Sequence, residues 1–273
     1  MNESKVSITV LMPVYNEKEK YLKNSIKSIL NQSYSNFEFL IINDGSTDES
    51  CEKIIKEYAQ KDERIRIVTN EINIGLTKTL LRGLKLANGA YIARLDSNDM
   101  AAKDRLEKQL YFMQNNPDYA LCGCWTYIIN EQNKIIGKQK GPVQYDEIKK
   151  RIITANPLTH SAWFFKKDVI QSMGGYAAEM TKAQDYDLLL RLVPRYPVAN
   201  LQEFLCYYRV SNEGMTFSNN KVQEKYAIHA RLKALREYDY PKSDYLKMIR
   251  PLFFYWFVPS PIKKFLMRML WKI

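Results

Sequence analysis

Ile42-Asn43-Asp44-Gly45-Ser46-Thr47-Asp48 and Ala93-Arg94-Leu95-Asp96-Ser97-Asn98-Asp99 are the stretches that decide the fold of this chain. Each closes an apolar run of strand type, which stops abruptly in carboxylates and small turn formers. Either stretch alone reads as ordinary Asx-type turn chemistry. Two acid-bearing strand ends in one half of a chain point further. In open α/β sheets, ligands bind just outside the carboxyl ends of the strands. The pair therefore predicts a polar site able to hold a nucleotide and a hard cation.

Outward from these stretches, strands and helices alternate. Strands are predicted at Val6 to Met12, Phe37 to Ile42, Ile65 to Val68 and Ala90 to Leu95, the first ending at Pro13. Between them, Tyr21 to Leu30, Asp48 to Ala59 and Leu76 to Ala87 carry apolar residues at helical spacing, with Ser46 to Asp48 as caps of the second helix. This is the pattern of βαβ units, a parallel sheet with helices on both faces. After Asp99 the regularity fades. A helix is expected at Asp104 to Gln114, an antiparallel hairpin at Tyr119 to Ile129 and Lys134 to Gly137, and a helix at Tyr145 to Ile153. A strand at Ala162 to Phe165, a helix at Gln184 to Val193, a strand at Phe204 to Val210 and a basic helix at Lys221 to Tyr238 follow. One domain over residues 1–238 with a C-terminal extension over 239–273 fits best. The turn after the first strand, Pro13-Val14-Tyr15-Asn16-Glu17, lacks the glycine-rich cradle of dinucleotide-binding proteins. Phosphates held here would need other neutralisation, such as a cation on carboxylates.

Composition sets outer limits. With 46% hydrophobic and 26% charged residues, the 273-residue chain is a folded protein rather than a disordered one. Its net charge of +11 implies attraction to polyanions. The basic residues are spread along the chain and no nucleic-acid-binding motif accompanies them, so nucleic acid is not expected as a partner. Cys51, Cys122, Cys124 and Cys206 form no disulfide or zinc pattern and read as reduced thiols of a cytosolic protein. No signal peptide is predicted from the polar start, and no segment approaches the length of a spanning helix.

The ordered set of motifs resembles the inverting glycosyltransferases of family 2. It comprises Val10 to Glu17, Asn43 to Asp48, Asn73 to Leu76, Tyr91 to Asp99, Thr159-His160-Ser161, Gly174-Gly175-Tyr176, Ala183 to Arg191 and Tyr208-Arg209. The resemblance covers roughly Ser7 to Val210. It implies a GT-A fold: a Rossmann-like, mostly parallel sheet with flanking helices, a smaller antiparallel portion and here a helical C-terminal extension. Residues 1–100 would be the nucleotide-sugar half and 101–238 the acceptor half. It also implies a nucleotide-diphosphate sugar donor, expected from Asp44 to be a UDP-sugar, and a divalent cofactor, Mn2+ or Mg2+. By the resemblance, Pro13, Tyr15, Glu17, Asp44, Asn73, Arg94, Asp96 and Ser97 bind the donor, Asp44 meeting the uracil. Asp96 and Asn98 stand at the Asp-x-Asp motif that holds the metal, with Asp99 able to stand in for Asn98. Asp185 is the expected general base, and His160, Gln184 and Arg209 face acceptor or diphosphate.

Three positions depart from the family pattern. Asn98 replaces the second Asp of Asp-x-Asp, Gln184 replaces a Glu, and Ser211 stands where many members carry a His. The tail has its own signal. Ile262, Phe265, Leu266, Met269, Leu270 and Ile273 form a helical apolar stripe beside Lys263, Lys264, Arg268 and Lys272, as suits an anionic membrane surface; packing of the stripe on the catalytic domain is the alternative. The sequence thus predicts an enzyme, peripheral on the cytoplasmic face of a membrane, that extends a lipid-linked oligosaccharide or surface-polysaccharide precursor such as lipopolysaccharide or capsule. Transfer to a polyprenyl phosphate, or a non-catalytic sugar-nucleotide-binding subunit of a synthesis complex, are the rival readings. The sugar, the acceptor linkage and the oligomeric state are not encoded in any motif.

Overall fold

A computed structural model describes residues 7–210, 220–259 and 262–263. The first half is built as the alternation predicts: β1 (Ile8–Val14), α1 (Glu19–Leu30), β2 (Phe37–Asn43), α2 (Glu49–Ala59), β3 (Ile65–Thr69), α3 (Leu76–Leu86) and β4 (Tyr91–Arg94). β1, β2, β3 and β4 pair in parallel. Period-two alternation sends the two faces of each strand to different cores. Ile8, Val10, Met12 and Val14 of β1 and Phe37, Phe39 and Ile41 of β2 meet Leu22, Ile26 and Ile29 of α1 and Ile54 and Ile55 of α2. Leu11, Leu40 and Ile42 face the other way, onto Leu80 and Leu84 of α3.

β1 does not end at Pro13, as the sequence suggests, but runs on to Val14. The carbonyl of Leu11 accepts from Leu95 on the β4 side, whereas that of Val14 accepts from Asp44 on the β2 side. Alternation turns position 13 toward β4, which stops at Arg94. The missing proline N–H therefore falls where the ladder has ended.

The second half adds β5 (Met100–Ala101), α4 (Arg105–Asn115), β6 (Leu121–Ile129), β7 (Ile135–Gln139), α5 (Tyr145–Arg151), β8 (Phe164–Lys166), α6 (Lys167–Ser172), α7 (Gln184–Leu192), β9 (Val198–Arg209), α8 (Asn220–Glu237) and α9 (Ile249–Phe257). The sheet order is β3-β2-β1-β4-β8-β6-β9-β5, with β7 on β6. The β6–β7 pair is the antiparallel hairpin expected. β9 begins six residues before the predicted strand, because Asn200, Gln202 and Glu203 mask its first half and its ladder with β6 shifts register around Trp125. Neither the two-residue β5 nor the short α6 carries a periodic signal. Within the expected C-terminal extension, Tyr240, Asp244 and Met248 are buried, and Tyr240 donates its hydroxyl to the Leu190 carbonyl at 2.9 Å. Ser211 and most of the predicted tail stripe lie outside the described residues.

Candidate donor and transfer site

The ends of β1 and β2 are stitched together by one residue. Asn16 sits in the left-handed region at φ 46°, a conformation Asn tolerates better than most side chains. Its Oδ1 accepts from the backbone N–H of Thr47 at 2.9 Å and of Asp48 at 3.1 Å, and its own N–H donates to Ser46 Oγ at 3.1 Å. Asp48 caps α2 by accepting from the Ser50 N–H at 2.9 Å. Beneath this bridge Asp44 is buried. Its Oδ1 accepts from Asn70 Nδ2 at 2.6 Å and from the Ile74 N–H at 3.0 Å, and its Oδ2 from the Gly75 N–H at 3.0 Å. Asp44 thus fixes the 70–75 turn, and a carboxylate with about four acceptor sites still has room for one further donor. Of the other pocket residues predicted, Tyr15 and Asn73 are exposed and Pro13 is buried.

The end of β4 supplies the second acid cluster. Arg94 is fully buried and ion-paired through Nη2 to Asp96 Oδ1, while its Nε and Nη1 have no protein partner. Asp96 is one-third exposed and its N–H donates to Ser161 Oγ at 2.9 Å. Ser97 Oγ donates to Glu17 Oε2 at 3.1 Å, and its carbonyl accepts from Ser25 Oγ at 2.7 Å. Burial raises the Glu17 carboxyl above its ordinary range. Asp99 is completely buried against β9, its Oδ1 accepting from the Arg209 N–H at 2.7 Å. Burial first, and the Asp96 charge second, push its carboxyl upward. The Arg209 side chain donates to the carbonyls of Asn98 at 2.8 Å and Asn130 at 2.7 Å and lies 4.4 Å over the Tyr21 ring. Arg209 therefore locks the 96–99 loop to the ends of β6 and β9.

Asp185 opens α7, after Ala183 in the left-handed region at φ 53°. Its Oδ2 accepts from Asn156 Nδ2 at 2.9 Å. Burial pushes its carboxyl from 3.8 up to about 6, against the backbone N–H groups of the helix start, which lower it; the Asp96 charge raises it and Arg94 lowers it. Close by, His160 Nε2 and the Tyr176 hydroxyl share a 2.8 Å hydrogen bond, and the His160 ring meets Trp163 edge-on at 4.8 Å. Burial, and then the Arg94 charge, hold the imidazole well below its usual pKa, so it is neutral at pH 7. Tyr176 feels Arg94, Asp185 and Asp96 together, which marks these groups as one electrostatic unit. Gln184 is buried beside them.

The structure thus gathers Arg94, Asp96, His160 and Asp185, and it sets Glu17, Ser97, Asp99 and Arg209 around the loop that carries Asp96. Sequence reasoning gave no role to Asn16, Ser25, Asn156, Ser161 or Tyr176. Ser161 and Tyr176 lie within motifs quoted above, whereas Asn156 ends a segment that no motif marks. Among the described residues no three His, Cys, Asp or Glu side chains stand together as a metal site. Asp96 with the Asn98 amide still suits a small hard cation that takes one or two protein ligands, substrate phosphates and water.

Residues 9–174 match the family model described as Glycosyl transferase family 2. The chain belongs to glycosyl transferase family 2. As a member of this family it is a transferase of sugars. It is 38% identical over 225 residues to an uncharacterized glycosyltransferase of Methanocaldococcus jannaschii, covering 81% of this chain and 77% of that one. It is 37% identical over 209 residues to the O-antigen biosynthesis glycosyltransferase WbnJ of Escherichia coli, covering 76% and 80%. Two solved structures share the fold. S. aureus TarS 1-349 in complex with UDP-GlcNAc superposes with a TM-score of 0.69 at 17% identity, covering 92% of this chain and 73% of that one. The mannosyltransferase PcManGT of Pyrobaculum calidifontis, in complex with GDP-Man and Mn2+, gives 0.69 at 15%, covering 98% and 76%. The chain spans 44% of the longer TarS structure. The sheet with its parallel and antiparallel portions is the GT-A arrangement the motifs imply. Among the described residues no helix is long and apolar enough to cross a membrane.

Proposed function

We propose that this family 2 glycosyltransferase moves a sugar from a UDP-sugar to a hydroxyl of a lipid-linked oligosaccharide or surface-polysaccharide precursor, with inversion. The observation that carries the reading is Asp185: a carboxyl raised to about 6, held by Asn156 and within the field of Asp96 and Arg94. A general base works best with a pKa just below the operating pH. Ionised Asp185 takes the proton of the acceptor hydroxyl as that oxygen attacks the anomeric carbon. The bond from that carbon to the diphosphate breaks as the new glycosidic bond forms, so an α-linked donor yields a β-linked product. His160 and Gln184 line the acceptor side, and neutral His160 can accept or donate one hydrogen bond without adding charge.

On the donor side, Tyr15 and Asn73 offer contacts to base and ribose above Pro13 and Asp44, with Glu17 and Ser97 beneath the sugar-phosphate path. The UDP-GlcNAc complex of TarS and the GDP-Man complex of PcManGT indicate that the fold accepts either base. Asp44 is read as meeting uracil, from whose ring N3–H a carboxylate can accept. Asp96 and Asn98 would hold a divalent ion, Mn2+ or Mg2+, which supplies charge neutralisation on the leaving diphosphate. Arg94 orients Asp96, and Arg209 adds fixed positive charge behind the loop. The relationship to WbnJ supports a role in polysaccharide biosynthesis. Residues 1–100 serve as the nucleotide-sugar half and 101–238 as the acceptor half of one domain.

A panel of nucleotide sugars, read by thermal stabilisation and by donor hydrolysis with metal present, tests the reading. Stabilisation and hydrolysis confined to one UDP-sugar support it. Binding without hydrolysis or transfer would instead favour a non-catalytic subunit.

A further inference from the structure

α9 (Ile249–Phe257) has the sequence Ile-Arg-Pro-Leu-Phe-Phe-Tyr-Trp-Phe and none of its residues is buried. With the turn before it, it leaves Leu246, Ile249, Phe253, Trp256 and Phe257 between 54% and 73% exposed. The rings of Phe253 and Phe257 stack at 5.2 Å, so the aromatics form a continuous ridge. Single exposed apolar residues are normal, but five large ones on one turn and helix mark an interaction surface. The inner edge is anchored: Met248 is buried, Leu252 packs against the core that holds α7 and α8, and Lys247 pairs with Asp244 at 2.7 Å.

Charge and size identify what covers the ridge. Lys242 and Arg250 flank it and are exposed. From Tyr245 to Ile273 the sequence holds six basic residues and no acidic one. Lys242 and Arg250 beside the ridge repel a second copy of the same face, whereas an anionic surface attracts them. Tryptophan and phenylalanine among basic residues suit the headgroup boundary of a bilayer. Nine helical residues extend about 14 Å, under half of the roughly 30 Å hydrocarbon core. The helix can lie in that boundary and cannot span it.

We propose that α9 and the 242–248 turn form a membrane-docking face, with Ile249, Phe253, Trp256 and Phe257 entering the headgroup region of an anionic bilayer and Lys242 and Arg250 meeting its lipid charges. This rests on the transferase reading only for its benefit, since a docked enzyme would meet a lipid-linked acceptor in two dimensions. Docking itself needs neither donor nor catalysis.

The experiment is co-sedimentation of the full chain with vesicles of phosphatidylcholine alone or mixed equally with phosphatidylglycerol. Binding to the mixed vesicles that weakens with salt is expected, because surface attraction is screened within a Debye length. The triple change Phe253→Ser, Trp256→Ser, Phe257→Ser should weaken binding about tenfold or more, while melting temperature and UDP stabilisation stay at wild-type values. Lys242→Glu with Arg250→Glu, on an intact ridge, should weaken it as well, which guards against misfolding of the triple variant. Acrylamide quenching of Trp256, taken as the difference between wild type and Trp256→Phe, should be strong in solution and suppressed by mixed vesicles. Equal binding to phosphatidylcholine alone, wild-type binding by the triple variant, or Trp256 already shielded in solution would overturn the proposal. The last result would mean that the chain's own C-terminal residues or a second copy cover the ridge. Failure of the nucleotide-sugar panel would leave the vesicle-binding, melting-temperature and quenching readouts untouched.

Discussion

Asn156 donates its side-chain amide to Oδ2 of Asp185 at 2.9 Å. The bond joins the segment after α5 to the first turn of α7 and fixes the rotamer of the carboxylate proposed as base. It also opposes the cause that raises this carboxyl, because an amide donor favours the charged form whereas burial favours the neutral one.

Asn156→Ala should therefore lower kcat/KM about tenfold, the scale of one lost hydrogen bond to a charged group. It should also move the acidic limb of the pH–rate profile upward, since the carboxylate loses a stabilising donor. Asn156→Asp should move that limb further by placing a like charge beside Asp185. A purely structural role would lower the melting temperature and leave the limb in place.

Asp185→Asn should keep UDP stabilisation and reduce turnover by about 100-fold or more, the usual contribution of a positioned base. In the wild type, kcat/KM should fall as pH drops through about 6, where the carboxylate gains its proton. Stability moves the other way. A folded pKa raised above 3.8 favours the fold fully below that pH, and the advantage is lost as pH rises through about 6. Asp185→Asn escapes the loss, so it should exceed the wild type by up to about 3 kcal/mol at pH 8. The gap should close toward pH 4 in denaturant titrations.

Asp96→Ala should abolish transfer and leave buried Arg94 without its ion pair, costing about 3–5 kcal/mol. Asn98→Asp adds a second carboxylate and should tighten Mn2+ or Mg2+ in a titration followed by UDP binding. Asp99→Asn should not loosen the metal directly, because Asp99 is bonded to the Arg209 backbone. Full activity in excess EDTA would remove the cation from the mechanism.

Gly45→Ala places a Cβ 2.4 Å from the Ile72 carbonyl carbon, at a backbone φ of +65°. It should displace the 70–75 turn that Asp44 holds, lowering the melting temperature and UDP stabilisation together. Asp44→Ala should weaken UDP stabilisation and leave the Asn70 amide and two backbone N–H groups short of an acceptor, at about 1–3 kcal/mol each. Stabilisation of the wild type by GDP equal to that by UDP would count against the uridine assignment.

The sequence by itself determined the alternating half of the fold and singled out three acids, two at its strand ends and one at the start of α7. Strand and helix periodicity is local, so Ile8 to Val14 and Leu22 to Ile29 announce their buried faces without reference to anything distant. Asp44, Asp96 and Asp185 are legible because each follows or opens such an element. Tertiary structure alone decided which polar groups those acids touch. Asp99 looks from sequence like a companion of Asp96, yet it turns to the N–H of Arg209, 110 residues away. Asn156 carries no motif and gains its role only when Asp185, 29 residues on, arrives beside it. Arg94 becomes a buried support of Asp96 rather than an open donor contact once β4 is enclosed between β1 and β8. Burial sets the pKa of a carboxyl and the worth of its hydrogen bonds, and burial belongs to the packed whole rather than to any stretch of chain.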